Sequence, residues 1–205
     1  MKIRQNLHWL PYFGILAFLA LYFYASALYP GGTQFDHSTL GYSQLGNFWC
    51  DLLDEVTYSG SKNPGRPYAL TATIVLPTTL TVFWFFVPAL FSWPDWQRWA
   101  VRALGCTSMV LAVFIFTPAH DYVINLASLM GFAAFTAVQI GLIRNKEFLL
   151  LASASVAILF GLTHFFMWRT GFRLDQMPIV QKFAFLSFFI WIGLTTRRMQ
   201  EALRV

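Results

Sequence analysis

Six long apolar stretches, at roughly residues 11–29, 67–92, 100–118, 120–143, 148–168 and 177–196, constrain this chain more than any other feature. Each approaches or exceeds the roughly 20 residues that a helix needs to cross a bilayer core about 30 Å thick. In hydrocarbon a lone strand would leave its N–H and C=O groups without partners, and these runs are continuous rather than alternating as barrel strands are. The expectation is an all-α fold: a polytopic membrane bundle of six transmembrane helices, forming a single domain over residues 1–205. Composition agrees, because 57% of the residues are hydrophobic and only 11% charged, against about 25% charge in a soluble domain. Two cysteines exclude a disulfide-rich scaffold. The net charge of +5 comes from basic residues scattered singly, which argues against a nucleic-acid partner and for membrane lipids.

Lys2 and Arg4 before a run that reaches Ala25-Ser26-Ala27 also have the form of a signal peptide. The apolar run continues to Tyr29, however, and Tyr22, Tyr24 and Tyr29 would supply an interfacial belt, so the stretch reads as a retained first span. With the N-terminus inside, Lys2, Arg4, Arg98, Arg102, Arg144, Lys146, Arg197, Arg198 and Arg204 face the cytoplasm. Lys62, Arg66, Arg169 and Arg173 lie outside, a split of nine against four, and Lys182 falls within the sixth span. The expected location is the inner (cytoplasmic) membrane with both termini cytoplasmic. Pro77 should kink the second span, next to Thr78 and Thr79 whose hydroxyls can bond back to the backbone.

One connection is long, about 37 residues between the first and second spans. If Ser43 to Val56 is helical, Ser43, Gln44, Asn47, Cys50, Asp51, Asp54 and Glu55 share one face and Leu45, Phe48, Trp49, Leu52, Leu53 and Val56 the other. That pattern predicts an outer amphipathic helix, with its acids either solvated or turned toward the bundle. At matching depth lie His120, Asp121, His164, Arg169 and Lys182, while Asp121, Asn125 and Ser128 send a polar stripe down the fourth span.

These residues suggest an outer-facing polar pocket. Asp51, His120, Asp121 and His164 are the candidate catalytic groups, since an Asp paired with a His can exchange protons with a substrate. Asn47, Asn63, Arg66, Arg169 and Lys182 are the candidate substrate-binding groups. His37, His120 and His164 form a candidate zinc-ligand set, although no pair on one helix has metal-binding spacing. Ser38, Ser43 and Cys50 are the nearby nucleophiles, without a Gly-x-Ser-x-Gly elbow. The Ser59-to-Arg66 segment, with Gly60, Pro64 and Gly65, can turn tightly around an anion such as a lipid headgroup, though it lacks the features of a P-loop.

Tyr29-Pro30-Gly31-Gly32, Gly41-Tyr42-Ser43, Asn47-Phe48-Trp49-Cys50-Asp51-Leu52, Asn63-Pro64 and Thr117-Pro118-Ala119-His120-Asp121 resemble the bacterial six-span membrane family catalogued as domain of unknown function 998. That resemblance implies the fold and no particular activity. More distantly, an outer array of Asp and His is similar to the ceramidase-like membrane hydrolases, which use a Ser, an Asp and three His around zinc. This chain departs from their pattern, since His164 is followed by Trp168 rather than by a second histidine one turn on. The functional expectation is a hydrolase acting on a lipid or amphiphile. The alternatives are a non-catalytic lipid-binding or accessory membrane protein, or a small-solute transporter.

Overall fold

The structure, a computed structural model, describes residues 9–203; Lys2, Arg4, His8 and Arg204 lie outside them. The described residues form six α-helices: α1 (Leu10–Ala27), α2 (Arg66–Phe86), α3 (Asp95–Ala112), α4 (His120–Arg144), α5 (Phe148–Thr170) and α6 (Met177–Leu203). Short 3-10 turns follow at Cys50–Leu53, Val87–Leu90 and Leu174–Gln176. Among the described residues there are no strands, only two isolated bridges, Gly31 with Leu40 and Val56 with Lys62.

Five helical segments are long and apolar enough to cross a membrane: Leu10–Ala27, Arg66–Leu90, His120–Arg144, Phe148–Thr170 and Leu174–Ala202. The chain is thus an all-helical, multi-pass membrane protein by length and composition. The third expected span differs in register and character. Instead of running over 100–118, α3 starts at Asp95 behind Pro94 and ends at Ala112. Its first two turns carry Asp95, Gln97, Arg98 and Arg102, which lower its hydropathy. Beyond it, Val113 to Ala119 form turns, as expected where Pro118 restricts the residue before it and cannot donate a helical N–H.

The described chain packs as two compact units, one from Met1–Ala17, Thr73–Ser153 and Ile190–Val205, the other from Phe18–Ala72 and Ala154–Phe189. In the first, Trp84 and Trp191 are almost wholly buried, and Trp191 takes the edges of Phe83 and Phe135 at ring distances of 5.4 and 4.8 Å. Small residues let the helices approach. A Cβ on Gly105 would fall 2.5 Å from the Trp84 ring, and one on Gly131 would fall 2.7 Å from Ser108 Oγ. That hydroxyl donates to the Ala127 carbonyl at 2.7 Å, and Tyr12 donates to the Gly193 carbonyl at 2.7 Å. Polar and small contacts of this kind hold helices together where lipid removes the hydrophobic difference between inside and outside. Pro77 lies inside α2, where Thr78, Thr79 and Thr81 bond back to the carbonyls of Ile74, Val75 and Pro77.

In the second unit an aromatic group joins the long connection to its helices. Trp49 packs against Phe18, Tyr22 and Phe185 at 5.4, 5.6 and 5.4 Å. Phe18 also stacks on Tyr22 at 4.2 Å. Gly65, just before α2, passes so close to α1 that a Cβ would sit 2.4 Å from the Ala25 carbonyl oxygen.

These contacts generate a paired expectation. Gly105→Ala should lower the melting temperature in detergent, at an overpacking cost of about 1 to 3 kcal/mol, because Trp84 is boxed in. Gly161→Ala, with nothing within 4 Å of its Cβ position, should be neutral or slightly stabilising. Equal effects at the two positions would contradict the packing described for Gly105.

Candidate functional site

The connection between α1 and α2 folds as a cap whose core is polar. Its residues do not form the amphipathic helix expected over Ser43 to Val56; only Cys50–Leu53 makes a single 3-10 turn. The physical reason lies in short side chains that offer the backbone other partners. Ser43 Oγ accepts from Gly46 N–H at 3.0 Å, and Asn47 Oδ1 accepts from Ser43 N–H at 3.0 Å. The expected faces are lost with the helix. Leu45 and Val56 are 66% and 57% exposed, whereas Asn47 and Asp51 are 0% and 4% exposed.

Asn47 is the centre of the cap. Its Nδ2 donates to the Gly32 carbonyl and to Asp51 Oδ2, both at 2.9 Å, so both amide N–H groups and the amide oxygen are engaged. Gly32 can serve there because it adopts φ +84°, and a Cβ would meet Ser59 N at 2.4 Å. Asp51 Oδ2 also accepts from Phe48 N–H at 2.9 Å. Asn63 repeats the device at the cap's other end. Its Nδ2 donates to the carbonyls of Leu52 and Asp54 at 3.1 and 3.0 Å, and its Oδ1 accepts from Gly65 N–H at 3.0 Å. Arg66, the first residue of α2, donates Nε to the Leu53 carbonyl at 2.9 Å.

The sixth helix enters the same network. Lys182 Nζ donates to the Asn47 carbonyl, and lies 5.6 Å from the Tyr42 ring centre. It reaches the backbone rather than the Asp51 carboxylate, which takes part in no ion pair within 4 Å among the described residues. Tyr42 and Gln181, not among the residues expected at the site, also take part. Tyr42 donates its hydroxyl to the Phe48 carbonyl at 3.0 Å. Gln181 accepts from Trp49 N–H at 3.0 Å and donates to Cys50 Sγ at 3.2 Å. The only signal for Gln181 was its place beside Lys182 in an apolar span.

Burial controls the electrostatics. It pushes the Asp51 carboxyl up to about 6, against the opposing pull of the Asn47 and Phe48 N–H donors and the Lys182 charge. The Cys50 thiol and Tyr42 hydroxyl are also raised, mainly by burial. A carboxyl near 6 can hold or release a proton around neutral pH, which is the property required of an acid or base.

The structure distributes the remaining candidates. His164, half-buried on α5, belongs to the same unit as Asp51, and its Nε2 has no hydrogen-bond partner among the described residues. Arg169 is exposed at the end of α5. His37 lies in the cap and stacks on Tyr58 at 5.8 Å. His120 and Asp121 open α4 in the other unit, where His120 Nδ1 is 2.5 Å from the Ile115 carbonyl oxygen and Asp121 is exposed. Among the described residues no group of three or more His, Cys, Asp or Glu side chains is arranged to hold a metal ion. His37 and His164 belong to one unit and His120 to the other. A small crevice beside the cap is lined by Leu19, Tyr22, Phe23, Ser26, Tyr42, Gln44 and Trp49. No protein-family model, curated protein or solved structure matches the chain.

Asp51 makes a signed prediction. Its carboxyl binds a proton more tightly in the fold than at its ordinary value of 3.8. Its contribution to stability is then fully present below about 3.8 and falls as pH rises to about 6, above which it is level. Melting of the protein in nanodiscs between pH 4 and 7 should reveal this fall, and Asp51→Asn should flatten it. An unchanged profile in the variant would place the titration elsewhere.

Proposed function

We propose that this chain is a multi-pass protein of the inner (cytoplasmic) membrane, with both termini cytoplasmic, whose outer cap binds the headgroup of an anionic lipid or amphiphile without hydrolysing it. The single observation that carries the reading is the way the cap uses its polar side chains. Asn47 and Asn63 each engage both amide N–H groups and the amide oxygen within the cap, and Asp51 accepts from Asn47 and Phe48. They act as staples rather than as groups held ready for a substrate. Basic groups at this end stand beside the exposed acids Asp36, Asp54 and Glu55. Arg66 commits Nε alone in the contacts given above, while Lys62 and Arg169 are exposed. Guanidinium and ammonium groups near a membrane surface favour phosphate and other anionic headgroups.

Termini on one side require an even number of crossings, so α3 is the remaining crossing. Its 18 residues rise about 27 Å, near the thickness of the hydrocarbon core. The nine-to-four distribution of basic residues supports the orientation. In a variant lacking Cys50 and Cys106, single cysteines in the 31–62 cap should react with an impermeant thiol reagent added outside, and those at 145 or 146 should not. The reverse pattern would overturn both the orientation and the placement of the cap.

A hydrolase is the second reading, and the elevated Asp51 carboxyl favours it. The two readings separate on purified protein in nanodiscs. Binding of short-chain phosphatidylglycerol should exceed binding of phosphatidylcholine. It should weaken about fivefold for each of Lys62→Gln and Arg66→Gln, the loss of about 1 kcal/mol expected per basic residue at an anionic surface, with no product released. Release of fatty acid from lipid esters or amides that disappears in Asp51→Asn would replace the binding reading with the enzymatic one.

A further inference from the structure

The unit built from Met1–Ala17, Thr73–Ser153 and Ile190–Val205 holds a second group of polar side chains, unrelated to the cap. Thr195 and Thr196 on α6 are both 0% exposed, and neither Oγ1 has a hydrogen-bond partner among the described residues. On α4, the buried amide nitrogen and oxygen of Gln139 also have none among the described residues. In an apolar bundle an unsatisfied buried hydroxyl or amide is costly, so each of these groups calls for a partner.

Two contacts bring the groups to one level. Phe135 of α4 packs on Trp191 of α6 at 4.8 Å, and Glu147, just beyond α4, pairs with Arg198 of α6 at 2.8 Å. Both helices advance in the same direction between these contacts, so they run parallel. Gln139 lies one turn beyond Phe135 and Thr195 one turn beyond Trp191, between the two contacts.

The threonines also depart from the habit of this chain. Thr71, Thr78, Thr79, Thr81, Thr163 and Thr170 each donate to the carbonyl four residues earlier in their own helix. Back-bonding of that kind is the local way to satisfy a hydroxyl in a helix. Thr195 and Thr196 do not use it, which leaves their hydroxyls for a partner outside their own backbone.

We propose that Gln139, Thr195 and Thr196 form an internal hydration site, holding one or two ordered water molecules that bridge α4 and α6. The donor set selects the ligand. An amide supplies two donors and an acceptor, and a hydroxyl supplies both. A cation would leave the amide N–H groups unsatisfied, and an anion would leave the amide oxygen so. A small neutral molecule that both donates and accepts fits all three, and water needs the two to four polar partners available here.

The test uses the full chain in nanodiscs, melted as wild type, Gln139→Leu, Thr195→Val, Thr196→Val and the Gln139→Leu/Thr195→Val double variant. With bridging water, each single variant should melt below wild type, and the double variant should fall by clearly less than the sum of its singles, because one bridge is lost twice. If the groups are dry, removing a polar atom while keeping its shape should raise the melting temperature, and that result would overturn the proposal. X-ray radiolytic footprinting in water carrying heavy oxygen supplies a readout independent of the variants. Trp191, 0% exposed and one turn away, should take up the heavy label from the neighbouring site. An unlabelled Trp191 in wild type would also overturn the proposal.

Discussion

A buried peptide group must find a partner, and the chain meets that requirement in two ways. Along the spans, helices satisfy the backbone internally, so apolar side chains can face lipid at no cost in hydrogen bonds. Between α1 and α2 the backbone is irregular and partly buried, and the helical solution is absent. There the amides of Asn47 and Asn63 take its place. Each accepts one backbone N–H; Asn63 donates to two backbone carbonyls, and Asn47 to one and to the Asp51 carboxylate. The rest of the cap follows from these two residues, because they fix Gly32, Ser43, Leu52, Asp54 and Gly65 relative to one another.

The aromatic contacts act on this frame rather than creating it. Trp49 can pack on Phe18, Tyr22 and Phe185 because Asn47 and Asp51, on either side of it in sequence, are held by the polar network. Gln181 adds a direct tie, accepting from the Trp49 N–H. Polar bonds thereby set direction and the rings supply area, a division suited to a segment where each aromatic pair adds about 0.5–1.5 kcal/mol beyond burial.

The helices were legible in the sequence because hydropathy over a span is a local property. Leu10–Ala27, His120–Arg144 and Phe148–Thr170 begin and end within a few residues of their apolar runs. For α3 the same rule misplaced the start. Apolar length locates hydrocarbon, but a helix begins where its backbone can, and Pro94 followed by Asp95 provides that start. The cap was misread for a different reason. Ser43 to Val56 does have helical periodicity, yet Ser43 and Asn47 can cap a turn as readily as they can face solvent, and only the distant partners Gly32 and Lys182 decide between the two. Asp51 was singled out because an acid on that face could turn toward the bundle and pair with a histidine; it is buried, with Asn47 and Phe48 as its donors. Tyr42 and Gln181 gave little sign, since their partners are backbone groups and the Cys50 thiol, which no sequence motif pairs with them.

The chemistry that made Asp51 a catalytic candidate also fits it for a structural post. A carboxylate oxygen that accepts from both Asn47 and Phe48 holds the 3-10 turn, and the charge of Lys182 favours its ionised form. Burial opposes that form and wins, leaving the carboxyl poised near 6. Proton occupancy and cap geometry are consequently linked, because protonation removes the charge that the two N–H donors and Lys182 address. A poised carboxyl does not by itself imply turnover, since buried polar networks perturb titration as active sites do. What separates the two is a reacting atom within reach of the acid. Around Asp51 the neighbouring donors belong to Asn47 and to the backbone of Phe48, and Lys182 bonds a carbonyl rather than standing ready for a substrate. The network thus favours holding a surface in shape over doing chemistry on it, which is why the use of the cap's polar side chains as staples, rather than the buried acid, carries the functional reading.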